Sequence, residues 1–260
     1  MREGMRRWLI RGAWATGLCC GAMLLGLRLG RPIWYSDGAR EHSASELAAA
    51  GMLQWPTPEA EVELPGPVQG RVAMLPDGKL IYGRTQADGT TDLVVFDPSR
   101  PGLAPEPAYG LDTPSHELAP AVAADGTVYF ASDRPGGSGG FDLYRSHWQN
   151  GGFTPPEPLP LCNTARDETD PAPAPGTDEL LFVRVDPNVR GGDHGVLLRA
   201  HLNGDTDPEP VFADVAARRP EAQPVDRDPV FARDGGAVWF VRREPGRPAA
   251  LLRASRLGDA

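Results

Sequence analysis

Six charged side chains recur at fixed places in the chain. An acid stands three residues before a proline three times: Glu117 before Pro120, Glu168 before Pro171 and Asp226 before Pro229. Arg84, Arg184 and Arg242 each end a short apolar run, and Ser132 takes that place once. A recurring carboxylate can hold a metal ion, a basic partner or backbone N–H groups. A recurring guanidinium can grip a carboxylate or phosphate through two parallel hydrogen bonds. A residue that recurs with its repeat ordinarily serves the repeat. The first expectation is therefore that these acids pair with these arginines and tie neighbouring units together. The alternative is an arc of arginines at one mouth of a ring, holding an anionic ligand.

Other chemistry-bearing residues point to less. Gly136-Gly137-Ser138-Gly139-Gly140 matches a nucleophile elbow in letters. That motif needs a strand before it and a helix after it, whereas the strand-like Phe141–Arg145 follows here, so a flexible hairpin turn is expected. Asp133, Arg134 and Asp142 flank this loop without the spacing of a calcium-binding helix–loop–helix. The five histidines lack zinc spacing, and no phosphate-binding loop or catalytic triad signature is present. Cys162 stands alone in the body and reads as a small buried apolar residue. No catalytic residue, cofactor or metal is assigned.

The elements that position these residues come in four repeats of about fifty residues. Each starts with a strand ending in a turn: 71–78, 118–126, 169–177 and 227–235. An apolar strand follows, LIYGR (80–84), VYFAS (128–132), LLFVR (180–184) and VWFVR (238–242), then a third at 92–96, 142–146, 195–199 and 250–254. Gln69 and Val72 fill the places of the acid and the proline in the first unit. The second strand is apolar at both parities, so both of its faces are buried. A fourth strand opens with Pro-Glu at Pro105-Glu106, Pro156-Glu157 and Pro208-Glu209, and one further copy, Pro58-Glu59, precedes the first unit. That displaced copy predicts a ring whose last blade is closed by residues 59–64 pairing with 250–254. Four-stranded sheets stacked face to face around an axis make a β-propeller.

The stretch HELAPAVAADGTVYFASDRPGGSGGFDLYRS (116–146) resembles the TolB-like, WD40-like propeller repeat of bacterial envelope proteins. Residues 151–182, with Asn163-Thr164 and Asp167-Glu168, are similar to the linker between such repeats in OmpA-associated proteins. The resemblance covers about 65–260. It implies an exported scaffold for protein–protein contact, usually with more blades than four. The alternative, from a different class of function, is small-ligand or glycan recognition at the ring mouth, or a propeller glycosidase or lyase, which would need two carboxylates converging in the funnel.

Residues 12–27 carry no charge, with Arg6, Arg7 and Arg11 before them and Arg28 and Arg31 after. Sixteen residues are short for a span, but flanking arginines can snorkel and extend it to about Trp8–Leu29. A signal anchor, a cleaved secretory signal and a twin-arginine signal all fit, and all place the body outside the cytoplasm. Residues 41–260 hold 33 acidic against 19 basic side chains, a surface that repels phosphate backbones, so nucleic acid is not an expected partner. The organisation expected is all-β. A transmembrane or signal helix at 1–35 and a polar tether at 36–57 precede a propeller of about four four-stranded blades at 58–260. The location expected is the cell membrane, single-pass, with the body in the periplasm or beyond, or secretion to the periplasm. Envelope proteins are the expected partners. Deleting 41–66 is expected to expose a sheet edge and lower the thermal midpoint of the body; an unchanged midpoint would remove the case for closure.

Overall fold

The computed structural model describes residues 63–185, 195–213, 224–244 and 246–255. The expected N-terminal helix and tether lie outside them. Among the described residues no helix is long and apolar enough to cross a membrane.

Four antiparallel sheets follow one another, making a four-bladed β-propeller. The first holds β1 (Val68–Met74), β2 (Leu80–Thr85), β3 (Thr91–Phe96) and β4 (Glu106–Pro107). The second holds β5 (Glu117–Val122), β6 (Thr127–Ser132), β7 (Asp142–Gln149), β8 (Gly152–Phe153) and β9 (Glu157–Pro158), with β8 and β9 both paired to β7. The third holds β10 (Asp167–Pro173), β11 (Glu179–Val185), β12 (Gly195–His201) and β13 (Glu209–Pro210). The fourth holds β14 (Val225–Phe231), β15 (Ala237–Arg243) and β16 (Ala250–Ser255). The turn from first to second strand carries a glycine at positive φ in every blade: Gly78, Gly126, Gly176 and Gly235. A side chain there would clash with its own backbone.

Burial on both faces is what the second strands were read for. All six residues of β6 are buried. The forward face of each of the first three blades packs on the back face of the next. Leu75, Ile81 and Leu93 meet Val128, Phe130 and Tyr144. Tyr129, Ala131 and Leu143 then meet Leu180, Phe182 and Leu198, with Cys162 beneath. Ala172, Leu181, Val183 and Leu197 meet Phe231 and Val238. The back face of the first blade buries Tyr82, Val94 and Phe96 under Leu64.

Two expectations from spacing are corrected. First, every initial strand contains a bulge with a positive-φ residue: Gly70, Ala119, Asp170 and Asp228. The bulge of the first blade holds one residue more, Arg71. Counting back three from Val72 therefore stops one residue short, and the acid's place opposite Arg84 is taken by Val68, not Gln69. Second, Leu64 packs on the first blade rather than beside β16, and the rest of the expected closing strand, 59–62, lies outside the described residues. The fourth blade shows three strands among the described residues.

Cys162 is fully buried, and burial pushes its thiol up to about 12. A maleimide at pH 8 should leave Cys162 unmodified in the native protein and modify it fully on denaturation, as read by peptide mass. Modification in the native state would contradict this packing.

Candidate functional site

Strand register sets the charged pairs. Because β10 and β11 are antiparallel, Glu168 lies opposite Arg184, and Asp226 lies opposite Arg242 on β14 and β15. Arg242 grips Asp226 with both ends of one edge, Nε to Oδ1 and Nη2 to Oδ2, each at 2.7 Å. Arg184 donates from Nε to Glu168 Oε1 at 2.7 Å and from Nη2 to the Cys162 carbonyl at 2.9 Å. Thr164 completes the Glu168 cage, donating from its N–H and its hydroxyl. Each pair sits within one blade, a correction to the expectation that it bridges two. Adjacent strands of one sheet place the side chains closer than neighbouring sheets can.

The second blade builds the same cage from a displaced arginine. Glu117 accepts from the N–H and hydroxyl of Thr113, from the Ser132 hydroxyl at 2.9 Å and from Arg134 Nη2 at 3.2 Å. Arg134 also donates to the Leu111 carbonyl, the counterpart of Cys162. Burial pushes the Glu117 carboxyl up, while the Thr113 and Ser132 hydrogen bonds and the Arg134 charge pull it down. The guanidinium groups lie over the central aromatic rings: Arg134 over Tyr144 and Phe130, Arg184 over Phe182, and Arg242 over Phe212 and Phe240. Arg84 faces Val68 and has no ion pair among the described residues. The structure thus joins Arg184 to Glu168 and Arg242 to Asp226, but separates Arg84 from any of the three acids.

The loop residues are structural in contact. Asp133 caps the His116 N–H at 2.7 Å, and Asp142 Oδ2 accepts from the N–H groups of Ser138 and Gly139. The glycine loop closes tightly. A Cβ at Gly137 would meet the Asp142 carboxylate, one at Gly139 the carbonyls of Thr164 and Arg166, and one at Gly140 the Asp167 carboxylate. The glycines serve close approach to these groups, which corrects the reading of a flexible turn.

Two clusters escaped the sequence reading. On the inner strands, Arg71 Nη1 donates to the Pro171 carbonyl at 2.6 Å, a hundred residues away. It shares this region with Asp170, Asp228 and Arg227, whose Nη1 lies 3.7 Å from Asp170. The Asp228 N–H donates to Asp170, and burial, then the Asp228 charge, push the Asp170 carboxyl up. Nε and Nη2 of Arg71 are buried without a hydrogen-bond partner among the described residues. The available signal was the aspartate before the anchoring proline in two units. The second cluster is Asp92, Asp112 and Glu117, whose oxygens approach within 4.8 Å. Both Glu117 oxygens are already occupied by the donors named above. Burial, then the Asp92 charge, raise Asp112.

No protein-family model matches the chain, and no curated protein matches it. Solved structures match in fold. A protein described as a TolB from Agrobacterium tumefaciens superposes with a TM-score of 0.52 at 15% identity, over 72% of this chain and 61% of that one. The chain has the TolB-like β-propeller fold. TolB from Acinetobacter baumannii gives 0.48 at 17% identity, over 72% and 41% of the two chains. A thermostable family-43 glycoside hydrolase gives 0.47 at 11% identity, over 72% and 71%. The chain thus spans about three fifths of the first TolB-like structure and two fifths of the second.

The cages make a sharp contrast between blades. Arg184→Ala leaves the buried Glu168 with the Thr164 hydrogen bonds but no balancing charge, and should lower unfolding stability by roughly 3 kcal/mol. Arg84→Ala strands no acid and should cost less than about 1 kcal/mol. Urea titration of both variants measures this; equal losses would contradict the assignment.

Proposed function

We propose that this protein is an exported, membrane-anchored β-propeller that acts as a non-enzymatic interaction scaffold in the cell envelope. The observation that carries the reading is where its uncommitted surface lies. The recurring acids are consumed by internal cages, while large apolar side chains stand exposed: Met74 at 66%, Leu103 at 53%, Tyr109 at 73%, Val230 at 51% and Leu251 at 60%. Val230 and Leu251 lie on one face of the fourth blade, and apolar side chains grouped in this way mark contact with other proteins. The basic flank and the apolar run at 8–29 support an anchor with the acidic body exported. The likeness to TolB-like propellers fits a periplasmic body, and envelope proteins are the partners proposed.

A second reading has one observation in its favour. Asp170 and Asp228 converge near Arg71, as a small-ligand or glycan site, or a glycosidase or lyase, would require of two carboxylates. The internal charge balance of two acids against Arg71 and Arg227 favours a strut instead. A reporter active only in the cytoplasm, fused after Ala260, should be silent, and one active only after export should be active. The reverse pattern would overturn the exported scaffold.

A further inference from the structure

The third strand of every blade but the first carries an arginine at one register position. Arg145, Arg199 and Arg253 face Tyr129, Leu181 and Trp239 on the neighbouring second strands, whereas Val95 faces Ile81. The fourth strand sets a glutamate against that position: Glu157 against Arg145, Glu209 against Arg199, and Glu106 against Val95. Arg145 donates to Glu157 Oε2 from Nε at 3.1 Å and from Nη2 at 3.0 Å, and Arg199 donates from Nη2 to Glu209. The first blade thus keeps the acid of the pair and lacks the arginine. Among the described residues the Glu106 carboxylate has no ion pair or hydrogen bond.

Val95 is apolar because the second blade reaches over it. Trp148 and Phe153, a tilted pair with ring centroids 4.7 Å apart, pack with Val95 against the core shared by the first two blades. Beside that contact the outer strands leave a cavity of about 100 Å³, walled by Val95, Pro107, Trp148 and Phe153 and bordered by Glu106. Pockets for whole small ligands run from roughly 300 Å³ upward, so this one takes a single side chain. Leu103 and Tyr109, 53% and 73% exposed, line the same cavity. The other charges of its wall are committed. The Lys79 ammonium lies 3.1 Å from Asp77 and over the Trp148 ring, and Arg100 Nε donates to Asp97 at 2.7 Å. Glu106 is the charge left uncompensated.

The geometry points to this cavity as the seat for an arginine side chain of a partner protein. The guest guanidinium takes the place that Arg145 and Arg199 fill in their own blades and grips Glu106, while its aliphatic stem lies on Val95 and Trp148. Leu103 and Tyr109 beside the cavity supply the surrounding apolar contact that a protein segment covers and a free cation does not. This rests on the scaffold reading and names one contact through which it works.

A peptide titration tests this on the full-length chain in detergent micelles, labelled with fluorotryptophan and with the Trp148 resonance assigned by Trp148→Phe. The probe is acetyl-leucyl-arginyl-leucinamide, and the citrulline peptide of the same shape carries no charge. The arginine peptide should shift the Trp148 resonance saturably in the millimolar range. The citrulline peptide should bind about fivefold more weakly, and so should the arginine peptide to Glu106→Gln. Val95→Arg restores the internal pair and should abolish the shift. An unmoved Trp239 resonance shows that this variant keeps its fold; if it moves, Glu106→Gln decides. No shift with the arginine peptide, equal binding of the citrulline peptide, or undiminished binding to Glu106→Gln overturns this inference. Each leaves the exported scaffold standing, because the reporter fusion decides that reading separately. Methylguanidinium that binds as tightly as the peptide means a small-cation site. A Trp148 shift that grows with protein concentration and is lost in Glu106→Gln means a second copy. A resonance already at its bound position without peptide, and displaced by Glu106→Gln, means an arginine of this chain. Any of these three overturns the proposal.

Discussion

A blade cannot bury both of its faces alone; it needs a neighbour on each side. Everything else in this molecule depends on that contact. The central strands are apolar at both parities because each looks into two interfaces, as the complete burial of β6 shows. At about 25 cal/mol per Å² of apolar area, these interfaces dominate the favourable side of folding. The requirement is met three times within the chain. The fourth blade lacks it on one side, and among the described residues contributes only Ala237 and Phe240 to the buried apolar core.

Charge is arranged around that packing rather than against it. Buried carboxylates are costly unless hydrogen-bonded and paired. Glu117, Glu168 and Asp226 are each held by an arginine that lies over the central aromatic rings of its blade. One side chain thus neutralises the acid and covers the ring. Arg71 works on a longer scale, joining the first inner strand to the third.

The sequence made the blade order and the paired acids and arginines legible because both follow periods, two along a strand and about fifty along the chain. What escaped it was local deviation from those periods. The extra bulge residue, Arg71, shifts the count by one, so Val68 rather than Gln69 faces Arg84. Arg134 lies two residues past Ser132 yet fills the cage of Glu117, because a long side chain can fold back to the same carboxylate. The packed glycines of 137–140 looked flexible because composition does not reveal which acid a backbone closes upon. Exposure of Val230 and Leu251 was equally hidden. Their residue types match their buried equivalents, and only the missing neighbour distinguishes them.

If stacking is the governing contact, stability must fall toward the uncovered end. Native-state hydrogen exchange on the purified protein measures this blade by blade. The account predicts protection near the global limit for β6 and β11, with β15 and β16 opening at a clearly lower free energy. Uniform protection across β6, β11, β15 and β16 would mean that the fourth blade is packed as fully as the others, and would contradict the account.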